Sequence, residues 1–113
     1  MDNCIFCKIV KGEIPSKKVF ENQNVYAFAD LYPQAKIHQL FIHKNHTSHI
    51  NQMSENPQAI AEVFQAISQY TQEVGLDRDG FRVVTNLGPN AGQTVFHTHF
   101  HVLAGEKLGH FGS

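Results

Sequence analysis

Apolar positions recur along this chain with two periods, and each change of period marks an element. Near the N-terminus, "CIFCKIVKG" predicts a short helix closed by Gly12. The runs "KKVFE" and "VYAFAD" flank the turn-like "NQN", which predicts a hairpin. After the Pro33 loop, "IHQLFIH" adds a strand through Ile37, Leu40, Phe41 and Ile42. The period then lengthens in "SENPQAIAEVFQAISQYTQEVG", where Ile60, Val63, Phe64, Ile67, Thr71 and Val74 recur at helical spacing. Ser54 is its expected N-cap, Pro57 falls in the first turn and Gly75 stands at the stop. Beyond the turn "LDRDG", the runs "FRVVTN" and "TVFHTHFHVLA" read as two more strands, separated by "LGPNAGQ". Hairpin, strand, helix and two strands make an α+β domain spanning 1–113, with an antiparallel sheet of about five strands, one long helix and a short N-terminal helix.

The last run places histidines at 97, 99 and 101. Side chains alternate faces along a strand, so these three share a face with Val95 and Leu103, while Phe96, Thr98, Phe100 and Val102 point the other way. A single metal ion held by all three is opposed by distance. The outer two Cβ atoms lie roughly 13 Å apart on a strand, and each imidazole reaches only about 5.5 Å to a bonded metal. Phosphoryl chemistry fits better. A neutral imidazole whose Nδ1–H is held by a carbonyl offers its Nε2 lone pair as a nucleophile, and neighbouring imidazoles supply protons or hydrogen bonds to phosphate oxygens. His99, flanked on both sides, is the natural nucleophile, with His97 and His101 as acid and oxyanion partners. In the preceding "NLGPNAGQT", glycines allow close backbone approach to a phosphate, and Asn86, Gln93 and Thr94 offer neutral donors.

Charge and cysteine content narrow the picture further. A net charge of −1, with 9 basic against 10 acidic residues, gives no long-range attraction for nucleic acid or an anionic membrane. No apolar run approaches the roughly 20 residues of a membrane span, and the N-terminal segment has no signal core. A cytoplasmic location without nucleic-acid or membrane partners is therefore expected. Cys4 and Cys7, the only cysteines, are too close together to staple a fold. They are reduced thiols, a redox pair, or half of a zinc site that needs two more nitrogen or sulfur ligands.

The stretch "HTHFHVL" resembles the His-x-His-x-His-x-x signature of the histidine-triad (HIT) superfamily, with Thr98 at an x position that is usually hydrophobic. The blocks "CIFCKIVKGEIPSKKVFE", "AFADLYPQAKIHQLFIHKNH", "GFRVVTNLG" and "AGQTVFHTHFHVLAGEKLG" are similar to its phosphoramidase branch. The resemblance implies a HIT-like fold, a homodimer, and hydrolysis of purine nucleoside 5′-phosphoramidates or adenylates through a nucleotidyl-histidine intermediate that needs no catalytic cofactor. It further implies that His99 attacks phosphorus, that His101 binds a phosphate oxygen, and that His38 completes a proton relay. Asp30 would accept from the ribose hydroxyls of an AMP-like substrate, Ile9, Phe28 and Leu31 would bracket the base, and Asn86, Gly92, Gln93, Thr94 and Val95 would hold the phosphate. By the same resemblance Cys4, Cys7, His46 and His97 hold a structural zinc, with His43 and His49 near enough to replace His46. A metal-bound His97 is not free to act as an acid. The alternatives are a nucleotide-binding module with little turnover and a dinucleoside polyphosphate hydrolase.

Overall fold

The computed structural model describes residues 3–112; the remaining ends of the expected 1–113 domain lie outside the described residues. Five strands form one antiparallel sheet: β1 (Lys18–Glu21), β2 (Val25–Ala29), β3 (Ile37–His43), β4 (Arg82–Val84) and β5 (His99–Ala104). Their order across the sheet is β1-β2-β3-β5-β4. The fold is thus α+β. The β1–β2 hairpin closes where predicted, because the Asn22 carboxamide oxygen accepts from the backbone of Asn24 and Val25 at 2.9 and 2.8 Å and mimics a turn of backbone.

Both faces of the central strands are buried, so the sheet carries two apolar layers. Val25, Ala27, Phe41, Phe100 and Val102 pack against the long helix α3 (Pro57–Glu73), while Tyr26, Phe28, Leu40 and Ile42 pack against Phe6 and Ile9 of the short helix α1 (Ile5–Val10). Pairing of Leu40 with His101 and of Ile42 with His99 puts the histidines of β5 on the α1 side.

Three local expectations need correction. Ser54 ends α2 (Ile50–Met53), with its hydroxyl bonded to the Ile50 carbonyl, and Asn56 is the N-cap of α3 with Pro57 at N1. Proline at N1 sacrifices no helical bond, and this allows the chain to start a second helix there. The buried face of α3 runs through Ala59, Val63, Ala66, Ile67, Tyr70 and Thr71, whereas Phe64 and Val74 are 45% and 51% exposed. Alanines let the helix sit close to the sheet, and Phe64 packs only at the rim, 5.3 Å from the Phe100 ring. "LDRDG" forms a helical turn, α4 (Leu76–Asp79), after Gly75 takes a left-handed φ of 79°. At the C-terminus, Arg82 holds the tail: its guanidinium donates to the Gly109 carbonyl at 2.9 Å and lies over the Phe111 ring.

Candidate active site and metal centre

The histidine row is not one continuous strand. β5 begins at His99, and residues 95–97 form a bend before it. The bend leaves Phe96 63% exposed rather than packed under the sheet, and turns His97 to a different task from its neighbours.

Hydrogen bonds decide which nitrogen of each imidazole carries the proton. His99 Nδ1 lies 2.7 Å from the His97 carbonyl, which only accepts, so Nδ1 is protonated and Nε2 is left with its lone pair. The Gln34 backbone N–H donates to His38 Nδ1 at 3.0 Å. Neutral His38 therefore keeps its proton on Nε2, 2.8 Å from His101 Nδ1 and 3.4 Å from an Asp30 carboxylate oxygen. Donation from His38 to His101 Nδ1 leaves Nε2–H as the remaining donor of His101. The His99 and His101 rings are 5.1 Å apart, so a lone pair and an N–H donor stand side by side. Burial lowers the pKa of His99 and of His38, against the opposing charge of Asp30. Burial, reinforced by His99 and His38, holds His101 at about 4. All three imidazoles are neutral at pH 7.

His97 was expected both in catalysis and at a metal, and its bonding engages both ring nitrogens outside the His99–His101 pair. Its Nε2–H donates to the His43 carbonyl at 3.0 Å, and its Nδ1 faces Cys4 Sγ at 3.2 Å, Cys7 Sγ at 3.6 Å and His46 Nδ1 at 3.2 Å. Cys7 Sγ lies 3.5 Å from His46 Nδ1, and the four ligand atoms all fall within 4.8 Å of one another. A tetrahedral zinc with bonds of about 2.0–2.1 Å to nitrogen and 2.3 Å to sulfur separates its ligands by roughly 3.3–3.8 Å, so the donor set fits in number, type and spacing. Burial depresses His97 to about 4, so its Nδ1 lone pair is available, and the His43 carbonyl fixes the tautomer from behind. Cys7 is pushed up to about 11 by burial and by Cys4, and a bound cation would reverse that by holding the thiolate. The rival third ligands are engaged elsewhere. His43 accepts from Asn45 N–H and meets Glu62 at 2.8 Å, and His49 caps α2 by accepting from Gln52 N–H.

The expected nucleotide contacts are only partly assembled. Ile9 and Phe28 share the buried layer beneath α1, but Leu31 is 85% exposed and outside it. Asp30 uses one carboxylate oxygen to cap its own loop through Tyr32 N–H at 2.8 Å and turns the other toward His38. Gln93 was expected as a phosphate donor, yet its amide is spent on backbone groups of its own loop and of the segment at Ser48. It donates to the Ser48 and Val95 carbonyls and accepts from Gly88 N–H, which makes it a brace. Gly92 holds a φ of 83° after the 3-10 turn Pro89–Ala91, a conformation that favours glycine. Asn86 is half-buried, Thr94 exposed and Val95 half-buried beside the α1 layer. Sequence reasoning missed Gln34 and the His43 carbonyl, which act through backbone atoms and leave no compositional trace. It also missed Thr47, whose hydroxyl lies 2.7 Å from that of Thr98.

Comparison with known proteins places this geometry. The HIT domain model matches residues 11–108. The chain is 39% identical over 103 residues to a HIT-like protein of Helicobacter pylori, covering 91% of this chain and 97% of that one. It is 36% identical over 109 residues to the purine nucleoside phosphoramidase of Escherichia coli, covering 96% and 92%. A histidine triad protein from Clostridium difficile superposes with a TM-score of 0.93 at 42% identity, covering 99% of this chain and 97% of that one. A HIT family hydrolase from Clostridium thermocellum superposes at 0.92 with 38% identity, covering 98% and 97%. Sequence and fold agree: this chain belongs to the HIT family.

Proposed function

We propose that the protein is a hydrolase that cleaves the P–N bond of purine nucleoside 5′-phosphoramidates, and related adenylates, through a nucleotidyl-His99 intermediate. The observation that carries this reading is the 2.7 Å bond from His99 Nδ1–H to the His97 carbonyl, which leaves Nε2 unprotonated next to His101. In the first step the Nε2 lone pair attacks phosphorus and the P–N bond breaks. The amine leaves with a proton taken from water or the His38–His101 pair. Water then attacks the phosphorus, the N–P bond breaks, and the nucleoside monophosphate departs. His101 Nε2–H stabilises the phosphate oxygens in both steps. Asp30 orients the His38–His101 pair and accepts from the ribose, with Ile9 and Phe28 beneath the base. The similarity to the Escherichia coli enzyme supports the substrate class.

Cys4, Cys7, His46 and His97 hold a structural zinc in this reading. It ties α1 to the loops before α2 and β5, and supplies folding free energy rather than chemistry. We place the protein in the cytoplasm, where the milieu keeps both thiols reduced; among the described residues no helix is long and apolar enough to cross a membrane. We also assign a homodimer. The short edge strand β4 and the neighbouring exposed rings of Phe64 and Phe81 support a second copy alongside.

The test is steady-state hydrolysis of adenosine 5′-phosphoramidate by wild type and His99→Ala. Removal of the nucleophile is expected to cost on the order of 10⁴-fold or more in kcat, with nucleotide binding retained. Activity surviving in the variant, or no turnover by wild type, rejects the covalent route and leaves a nucleotide-binding module.

A further inference from the structure

Two His-Thr dipeptides, His46-Thr47 and His97-Thr98, lie 51 residues apart in the chain and face each other in the fold. The histidines meet through their Nδ1 atoms at 3.2 Å. The threonines meet through three hydrogen bonds. Thr98 N–H donates to the Thr47 carbonyl at 2.7 Å, the two hydroxyl oxygens are 2.7 Å apart, and the Thr98 hydroxyl reaches the same carbonyl at 3.2 Å. One arrangement of protons satisfies all three: the Thr47 hydroxyl donates to Thr98 Oγ1, and Thr98 donates both its protons to the Thr47 carbonyl. Thr98 is only 3% exposed, so its hydroxyl has no water to fall back on and depends on Thr47. A valine has nearly the same shape and would be equally at home in a buried strand approach, so packing alone does not account for a hydroxyl at this position.

What the hydroxyls add is position. The metal ligands come from three separate segments. Cys4 and Cys7 are set by one helical turn, with Cys7 N–H donating to Cys4 Sγ at 3.3 Å. The His43 carbonyl orients the His97 ring at 3.0 Å, but no helical turn sets the separation of His46 from His97, and two nitrogens that must both present lone pairs to one cation repel each other until it arrives. We infer that the Thr47–Thr98 clasp is a positioning element for the metal centre, holding the His46 and His97 segments at ligand separation before the ion binds. This rests on reading Cys4, Cys7, His46 and His97 as metal ligands.

The test measures zinc affinity by competition with a chromogenic chelator, together with the unfolding midpoints of the zinc-free and zinc-loaded chains. The samples are wild type, Thr98→Val, Thr98→Ser, Thr47→Val and Cys4→Ser. Wild type is expected to take up one zinc per chain and Cys4→Ser to lose it. Thr98→Val and Thr47→Val should each bind zinc about 10–100-fold more weakly, the usual range for residues that orient ligands, and Thr98→Ser should restore most of the affinity. The gap between zinc-loaded and zinc-free midpoints should narrow in the valine variants. Wild-type affinity in both valine variants, with an equal fall in both midpoints, overturns the clasp while leaving the metal centre in place. No zinc uptake by wild type overturns the metal centre, and the clasp with it. If Thr98→Val fails to fold, Thr47→Val carries the test, because Thr47 is only half-buried.

Discussion

Each imidazole of the site has a partner that decides where its proton sits, and the same surroundings decide how the fold responds to acid. Burial, with His99 and His38 adding to it, keeps His101 neutral down to about 4, and burial lowers His38 in the same direction. In the unfolded chain a histidine takes its proton near 6.5. Between those values the unfolded state binds a proton that the fold refuses, so stability rises with pH through the window and falls as the medium is acidified from about 6.5 towards 4. Urea midpoints of the zinc-free chain at pH 7, 6 and 5 are expected to decline for wild type and to decline less steeply for His101→Gln. Equal slopes would show that His101 is not the residue refusing the proton. Spacing alone exposed these histidines without ranking them, and only the resemblance to the HIT family set His97 apart from the other two. Their roles diverge because the chain bends at 95–97, and His97 thereby turns its Nδ1 to the cysteines while its carbonyl holds His99.

Among the elements, β2 and β3 were the easiest to read and α3 the easiest to misplace. A strand buried on both faces shows as a nearly unbroken apolar run, as in "VYAFA". A helix face is less distinct, because alanines count little in a hydrophobic pattern. Phe64 therefore looks like core, although Ala66 and Tyr70 hold that place. Phe41 marks the true centre of contact. It is fully buried, with its ring 5.5 Å from Tyr70 and 6.1 Å from Phe20. Phe41→Ala is expected to cost about 3–5 kcal/mol, and Phe64→Ala distinctly less, in guanidinium unfolding followed by circular dichroism. Equal losses would mean that α3 sits on the sheet by its Phe64 face after all.

Across the whole molecule, the long helix α3 and the short helix α1, which carries one side of the candidate metal centre, cover opposite sides of the sheet. α3 is held by a broad apolar layer, whereas the short α1 offers the other face mainly Phe6 and Ile9. Six helical residues have little stability of their own, so a tetrahedral ion clipping Cys4 and Cys7 to His46 and His97 would secure α1 over His99 and His101. Zinc removal by a chelator is accordingly expected to lower the unfolding midpoint. A ligand held at 100 times its Kd contributes about 2.7 kcal/mol, which corresponds to a shift on the order of 10 °C in a domain of this size. Calorimetry before and after chelation, with zinc added back, measures it. An unchanged midpoint would leave α1 held by packing alone.

The sequence by itself determined the class of fold and the strand that carries His99 and His101. Those features follow from local periodicity and from the identity of neighbouring residues. Only the tertiary structure decided that His97 rather than His99 or His101 faces the cysteines, that His46 rather than His43 or His49 lies beside them, and that Gln93 braces its loop against Ser48. Each of those outcomes depends on a contact between segments far apart in the chain, such as a His43 carbonyl meeting His97 or a Ser48 carbonyl meeting Gln93. Backbone carbonyls are identical at every residue, so the pattern of side chains carries no record of which one will be met.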